Sequence, residues 1–169
     1  MKILRIIRLF IFLVACTFPF LIYCQFSRNI KWGKDDRSYY ELNNRRIICT
    51  TLPGNKKVVL FTIEKLNPAG SNRKLFIEDF FLSTDNKSIL IYTNTKKVWR
   101  YNTRGDYWVY NLQDSSLFQL GKSLPESSLM FAKISPDGTK AEYVSDYNLY
   151  VEDLSRHVIK QLTFDGDRK

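Results

Sequence analysis

The chain has 169 residues, of which 44% are hydrophobic and 15% aromatic, and its formal net charge is +9 at pH 7. This length suffices for one ordinary hydrophobic core, and the composition excludes a disordered or collagen-like chain. The 10 Tyr and 12 Phe favour strands, because aromatic side chains pack well on a pleated surface.

Basic residues exceed acidic ones without forming a patch. Three of the 26 Lys and Arg lie within the first 24 residues, where there is no Asp or Glu. The others alternate with acidic and aromatic residues, and no block of five or more like charges occurs. We therefore expect no nucleic-acid partner.

The first 24 residues have the pattern of an export signal. An almost unbroken apolar run over residues 9–23 follows three basic residues, Lys2, Arg5 and Arg8. We predict a helical signal peptide or membrane anchor at residues 1–24, with cleavage before Gln25 in the first case.

Two other interpretations of this segment stay open. The sequence Leu13-Val14-Ala15-Cys16 matches a lipobox, which would make Cys16 a lipidated N-terminus. Alternatively, residues 9–26 are just long enough to stay in the bilayer as an anchor. All three interpretations predict an exported protein that is periplasmic, extracellular or membrane-anchored, and that meets a membrane only through this anchor or lipid.

Residues 25–169 contain an internal repeat. Residues 81–92 align with residues 133–144 at an offset of 52 without a gap. Both copies have the pattern of a strand, a Ser-x-Asp turn and a second strand. Further predicted strands and hairpins lie at residues 39–66, 107–112, 116–120, 148–154 and 157–163.

A repeat of roughly 40–50 residues with four short strands is typical of a β-propeller blade. We therefore predict an all-β, partial β-propeller of about two to three four-stranded blades in residues 25–169. A closed ring needs at least about four blades. Its completion would need blades from elsewhere or the self-association of several copies.

The sequence offers little for catalysis or metal binding. Cys49 is the only Cys after residue 24, so a disulfide or thiolate site lacks a partner, and we expect Cys49 in a strand, buried. His157 is the only His, expected at a blade turn or outer strand, and there is no Gly-x-Ser-x-Gly motif. We predict no catalytic residue, no metal site and no cofactor.

The stretch over residues 77–169 resembles the N-terminal propeller of dipeptidyl peptidase IV, and Trp32 with Tyr39-Tyr40 resembles the opening blade of that family. The segments that carry the match are residues 77–85, 93–100, 107–112, 131–140 and 161–166. The resemblance implies a parent role in proteolysis, namely the release of N-terminal dipeptides from peptide substrates by a secreted serine peptidase. It also implies that the propeller forms a wall of the substrate cavity.

The resemblance implies one substrate-binding residue. In that family an arginine that follows Trp or Tyr binds a substrate carbonyl oxygen, and Arg100 after Trp99 matches this arginine. Tyr101 and Asn102 depart from the family's usual residues at the next two positions. An ordinary surface-loop role for Arg100 stays open.

The family's other machinery has no counterpart in this chain. Its paired glutamates and its Ser-Asp-His hydrolase domain would follow Lys169, so we expect a fragment that is inactive alone, and its status as an enzyme stays uncertain. A non-enzymatic, exported propeller-type binding module is the alternative interpretation. The adhesion-like tripeptide Arg104-Gly105-Asp106 is interpreted as an ordinary hairpin turn that uses Gly105.

Overall fold

The computed structural model describes residues 30–67 and 75–167, and this part of the chain is built from strands. Twelve strands form three antiparallel four-stranded sheets, and one short 3-10 helix covers Ile63–Lys65. In every sheet the spatial order of the strands follows the chain order, as in a propeller blade. The predicted all-β partial propeller is therefore confirmed.

Each sheet takes four consecutive strands. Sheet 1 contains β1 (Ile30–Trp32), β2 (Ser38–Asn43), β3 (Arg46–Thr51) and β4 (Lys56–Thr62). Sheet 2 contains β5 (Ile77–Leu82), β6 (Ser88–Val98), β7 (Tyr101–Asn111) and β8 (Leu117–Gln119). Sheet 3 contains β9 (Met130–Ile134), β10 (Lys140–Ser145), β11 (Asn148–Asp153) and β12 (Val158–Gln161). The sequence pattern missed the opening strand β1 and the parts of β6 and β7 that lie within residues 93–106.

The turn between the first two strands is the same in sheets 2 and 3. In each turn a serine Oγ donates to an aspartate Oδ1 two residues later, from Ser83 to Asp85 and from Ser135 to Asp137, both at 2.6 Å. The same oxygen of Asp137 also accepts the backbone N–H of Thr139 at 3.1 Å. These local bonds explain why the repeat is visible in the sequence.

Sheet 1 has a third copy of this turn that the sequence hides. Gly33 takes the place of the serine, and Ser38 Oγ donates to Asp35 Oδ1 at 2.8 Å from the other end of the turn. A Cβ on Gly33 would lie 2.2 Å from Ser38 Oγ, so the hydroxyl occupies the space that a side chain at position 33 would need. The first turn therefore has the same hydroxyl–carboxylate hydrogen bond as the other two, but its hydroxyl comes from a different position of the turn.

The core lies on both faces of sheet 2. Ile89 and Ile91 of β6 are fully buried against sheet 1, in a cluster with Phe61. Leu90 and Tyr92 of the same strand face sheet 3 instead. Because successive side chains of a strand point to opposite faces, only a central blade needs this continuous apolar run.

Polar contacts join sheets 1 and 2 along their first strands. The Lys31 ammonium lies 3.1 Å from the Asp79 carboxylate, with both side chains about one-third exposed. In the neighbouring turn, Lys34 Nζ donates to the carbonyl oxygen of Thr84 at 2.9 Å. The turns between the first two strands of sheets 1 and 2 therefore lie next to each other, at the same end of the two sheets.

Cys49 lies in β3 as predicted, but it is half-buried rather than buried and has a free thiol. The predicted signal peptide or anchor at residues 1–24, with the lipobox Cys16, lies outside the described residues. Within residues 30–67 and 75–167, no helix is long and apolar enough to span a bilayer.

Candidate functional site

The candidate site is a hairpin that extends beyond the body of sheet 2. β6 and β7 have eleven residues each, whereas β10 and β11 at the same place in sheet 3 have six. The pairing of β5 with β6 stops at Thr93, so residues 94–104 form a long hairpin that pairs only with itself. This long hairpin carries Arg100 at its end.

The tip of the long hairpin is the two-residue turn Trp99-Arg100. Trp99 has φ of 58°, a conformation that a bulky side chain seldom adopts and that costs about 1–3 kcal/mol. Its indole ring is 82% exposed, and the Arg100 guanidinium lies over it, 4.6 Å from the ring centroid. Stacking on the indole orients the guanidinium while its N–H groups remain free to bind a ligand.

The residues beside the tip are apolar or basic. Tyr101 is 72% exposed and Val98 is 42% exposed, and Lys96 and Lys97 precede them on the same hairpin. Within the described residues, Arg100 forms no ion pair with a carboxylate. The tip can therefore donate hydrogen bonds to carbonyl or carboxylate oxygens next to an apolar surface.

A buried carboxylate holds the base of the long hairpin. Asp106 is 4% exposed and accepts the backbone N–H of Ser127 at 2.7 Å and the Asn94 amide at 2.6 Å. The Ser127 hydroxyl in turn donates to the Asn94 carbonyl oxygen at 2.7 Å. These bonds tie both strands of the hairpin to residues 120–129, which connect sheet 2 to sheet 3.

Gly105 allows this close packing. A Cβ at this position would lie 2.5 Å from the Tyr92 ring and 2.6 Å from the Thr93 carbonyl oxygen. Gly105 also exchanges backbone hydrogen bonds with Leu129, at 3.0 and 3.1 Å. The glycine is needed for space next to a strand and not for a turn.

The predicted hairpin turn at Arg104-Gly105-Asp106 is therefore wrong. All three residues lie inside β7, and the chain reverses at Trp99-Arg100 instead. The prediction failed because a glycine that makes room for an aromatic ring has the same sequence signature as a turn glycine. Since the Asp106 carboxylate is buried, it is not displayed as an adhesion loop would display it.

A tyrosine pair lies directly below the base of the long hairpin. The rings of Tyr92 and Tyr107 stack with centroids 4.5 Å apart, and the Tyr92 hydroxyl donates to the Asn102 carbonyl oxygen at 3.1 Å. Burial raises the pKa of Tyr107 to about 12 and raises that of Tyr92 further, so both hydroxyls stay protonated. The Asn102 side chain donates to Glu78 Oε1 at 3.3 Å, so this departure from the family pattern has a structural contact.

Arg104 lies on the face of the hairpin towards sheet 3. Its guanidinium is 5.8 Å from the centroid of the Tyr147 ring, in the turn between β10 and β11. Its Nε is buried without a hydrogen-bond partner. Of the two arginines, Arg100 alone is fully displayed at the tip.

The sequence missed the residues that hold the hairpin. Asn94, Asp106 and Ser127 are far apart in the chain and lie in no recognisable motif. No pattern marked them in advance, because residues 102–106 of β7 contain no apolar side chain and so show no strand alternation.

His157 lies in the turn between β11 and β12, as predicted. Its ring packs edge-on against Phe118, with centroids 4.4 Å apart. Among residues 30–67 and 75–167, no three His, Cys, Asp or Glu side chains lie close enough together to hold a metal ion.

The sheet order and the long hairpin define the chain as blades of a β-propeller. The sequence model of one family, described as the dipeptidyl peptidase IV (DPP IV) N-terminal region, matches residues 83–169, which is more than half of the chain. The chain belongs to this family, and the resemblance found in the sequence is confirmed.

Relatives with known names are longer proteins. The probable dipeptidyl-aminopeptidase B of Arthroderma gypseum is 28% identical over 130 residues, which cover 76% of this chain and 14% of the relative. Dipeptidyl aminopeptidase B of Saccharomyces cerevisiae is 33% identical over 97 residues, which cover 57% of this chain and 11% of the relative. The chain thus spans about one-seventh of the length of such relatives or less.

A solved structure confirms the architecture. The crystal structure of Porphyromonas gingivalis dipeptidyl peptidase 4 superposes with a TM-score of 0.69 at 25% identity. The match covers 82% of this chain and 20% of the solved chain.

Proposed function

We propose that this chain forms the Arg100-bearing wall of a substrate cavity in a dipeptidyl peptidase IV-type serine peptidase, which releases N-terminal dipeptides from peptides. The observation that carries the proposal is the position of Arg100. It lies at the exposed tip of a long hairpin whose base is held by the buried Asp106 carboxylate. Family membership supplies the activity that this wall would serve.

The chemistry of the tip suits a peptide backbone. A guanidinium is always charged and offers several N–H donors in a fixed plane, so it can bind one or two carbonyl oxygens of an extended peptide. Trp99 and Tyr101 add apolar surface on either side. A hairpin fixed at its base keeps these donors in place before the substrate arrives, which lowers the entropy lost on binding.

We further propose that the chain has no peptidase activity by itself. A Ser-His-Asp triad needs a histidine next to a nucleophile, and His157, the single His of the sequence, packs against Phe118. The hydrolase machinery would come from outside residues 1–169. The purified chain should therefore not hydrolyse a Gly-Pro chromogenic substrate.

We also propose that the protein is exported. The basic and apolar segment at residues 1–24 supports export, to the periplasm or the outside of the cell, with or without an anchor. Mass spectrometry of the N-terminus would distinguish cleavage before Gln25, a lipid on Cys16 and an intact leader.

A chimeric enzyme tests the role of Arg100. The segment of P. gingivalis dipeptidyl peptidase 4 that matches this chain is replaced by residues 30–167, and the hydrolysis of Gly-Pro substrates is measured. Arg100→Ala should raise KM about 10- to 100-fold with a smaller effect on kcat, because a charged hydrogen bond to bound substrate is lost.

Lys97→Ala is the matched control, because it removes a positive charge from the same hairpin but leaves the Trp99-Arg100 turn unchanged. It should leave KM within about twofold. If Arg100→Ala behaves like Lys97→Ala in an active chimera, Arg100 is an ordinary surface residue and the proposed wall is wrong.

A further inference from the structure

A second site lies between the outer strands of sheets 2 and 3, away from the long hairpin. Here an open cleft of about 650 Å³ is lined by Phe118 of β8, by Glu152 and Ile159 of sheet 3, and by His157. Lys122 and Ser123 from the connection between the sheets also line the cleft. Its volume is in the range of small-molecule sites.

A carboxylate lies at the floor of the cleft. Glu152 is 2% exposed, and its Oε2 accepts the backbone N–H of Gly121 at 2.8 Å and the Tyr143 hydroxyl at 3.0 Å. Burial, and then the charge of Glu152, raise the pKa of Tyr143, so its hydroxyl remains a donor. Within the described residues, the other oxygen, Oε1, has no hydrogen-bond donor.

The corresponding place between sheets 1 and 2 shows that the fold does not require a carboxylate here. Ile89 and Ala141 are equivalent in the 52-residue repeat, and their strand partners are Tyr110 and Glu152. Tyr110 packs edge-on against Phe61, with centroids 4.9 Å apart, and the cleft beside it is only about 360 Å³. Glutamate in place of tyrosine thus leaves a larger space with a free acceptor at its floor.

An opposite charge lies at the mouth of the cleft. Lys122 is exposed and follows Gly121, whose N–H holds the Glu152 carboxylate. Within the part of the chain that the structure describes, Lys122 has no ion-pair partner. The cleft therefore offers an acceptor at its floor, an ammonium at its rim and the apolar Phe118 and Ile159 between them. This arrangement matches a small molecule that carries both a positive and a negative charge.

We propose that this cleft binds a small zwitterion with an apolar side chain, either a free α-amino acid or a dipeptide. The ligand's ammonium donates to Glu152 Oε1, its carboxylate faces Lys122, and its side chain packs against Phe118 and Ile159. This site needs no peptidase activity and does not depend on the role of Arg100.

The test is an NMR titration of the full, isotope-labelled chain with L-phenylalanine. Two analogues, phenethylamine and 3-phenylpropionate, each lack one of the two charges. Phenylalanine should bind with a Kd of about 1 mM or tighter, and each analogue should bind about 10-fold more weakly. A parallel titration with Gly-Phe distinguishes a dipeptide from a free amino acid as the preferred ligand.

Two variants locate the binding. Glu152→Gln keeps an acceptor for Gly121 and Tyr143 but loses the charge, and Lys122→Ala removes an exposed ammonium without touching the core. Each should weaken phenylalanine binding about 10-fold, whereas Lys97→Ala on the long hairpin should not change it. If Glu152→Gln does not fold, the phenylalanine titration of Lys122→Ala still tests the proposal, because Lys122 is exposed.

The proposal is wrong if phenylalanine causes no shifts at about 20 mM, or if phenethylamine or 3-phenylpropionate binds as tightly as phenylalanine. It is equally wrong if Lys122→Ala leaves the affinity unchanged.

Discussion

The two faces of sheet 2 are covered in different ways, although the three sheets follow one template. Against sheet 1, Tyr110 and Phe61 close the interface, and Lys65 donates to the Tyr110 hydroxyl. Against sheet 3, the equivalent position holds Glu152, and an open cleft remains. The closed interface and the open one thus differ in the residue at this equivalent position, Tyr110 in sheet 2 and Glu152 in sheet 3.

The interfaces also differ in what they support. On the side of sheet 3, Asp106 accepts hydrogen bonds from Ser127, in the connection between the sheets, and from Asn94 of the hairpin itself. The contact with sheet 1 has an ion pair between Lys31 and Asp79 at the first strands. Both sides have an apolar core and polar contacts, but only the polar contacts on the side of sheet 3 hold the hairpin that carries Arg100.

The largest expected effect separates the closed interface from the open one. Phe61→Ala should lower the free energy of unfolding by about 3–5 kcal/mol, because Phe61 is fully buried between sheets 1 and 2. Phe118→Ala, at the open cleft, should cost about 1 kcal/mol, because its surroundings already admit water. Urea unfolding of both variants measures the difference, and equal losses would mean that the second interface is as tightly packed as the first.

The next largest effect concerns the hydrogen bonds that the buried Asp106 carboxylate accepts. Asp106→Ala should cost about 2–4 kcal/mol, because it leaves the buried N–H of Ser127 without an acceptor. Asp114→Ala, in an exposed turn of the same sheet, should cost less than about 1 kcal/mol. Amide hydrogen exchange of residues 94–104 should also accelerate in the Asp106 variant, and unchanged exchange there would show that Asp106 does not fix the hairpin.

A smaller change tests the polar contact of the closed interface. Tyr110→Phe keeps the ring against Phe61 but removes the hydroxyl that contacts Lys65 and Ser115. The loss should be about 1 kcal/mol in urea unfolding. A loss as large as that of Phe61→Ala would mean that polar bonds rather than packing hold sheets 1 and 2 together.

The smallest expected effect, on stability at low pH, concerns the Ser-x-Asp turns, which have the same hydrogen bonds in sheets 2 and 3. Hydrogen bonds from Ser135, and then from Thr139, lower the pKa of Asp137 to about 2 from its ordinary value of 3.8. A lowered folded pKa stabilises the protein above pH 4, and this stabilisation is lost as the pH falls towards 2.

Asp137→Asn should therefore reduce the drop in thermal midpoint between pH 5 and pH 2. Asp146→Asn, in the opposite turn of the same sheet, is the control. An unchanged pH dependence in the Asp137 variant would show that this turn contributes nothing to acid stability.

The sequence predicted the features that depend on local chemistry. The 52-residue repeat, the strands of sheets 2 and 3 apart from the long hairpin, and the turn at His157 follow from turn residues and from apolar patterns. The first copy of the turn escaped notice because its hydroxyl comes from Ser38 instead of position 33. The turn predicted at Gly105 was wrong because a glycine that makes room for Tyr92 has the same sequence pattern as a turn glycine.

Features that depend on contacts between sheets could not be predicted. The hydrogen bond from the Ser127 N–H to Asp106 joins residues 21 positions apart, and the equivalence of Tyr110 with Glu152 appears only in the strand register. The exposed position of Arg100 fits both the substrate-binding role and the surface-loop alternative, so substrate contact by Arg100 stays a prediction.

The role of Arg100 is tested most directly by a crystal structure of the active chimera with a slowly reacting dipeptide inhibitor. We expect the Arg100 guanidinium to lie about 3 Å from a carbonyl oxygen of the inhibitor, with the hydrogen bond from Ser127 to Asp106 intact. If Arg100 points to solvent and another residue holds that carbonyl oxygen, Arg100 does not form the proposed wall of the substrate cavity.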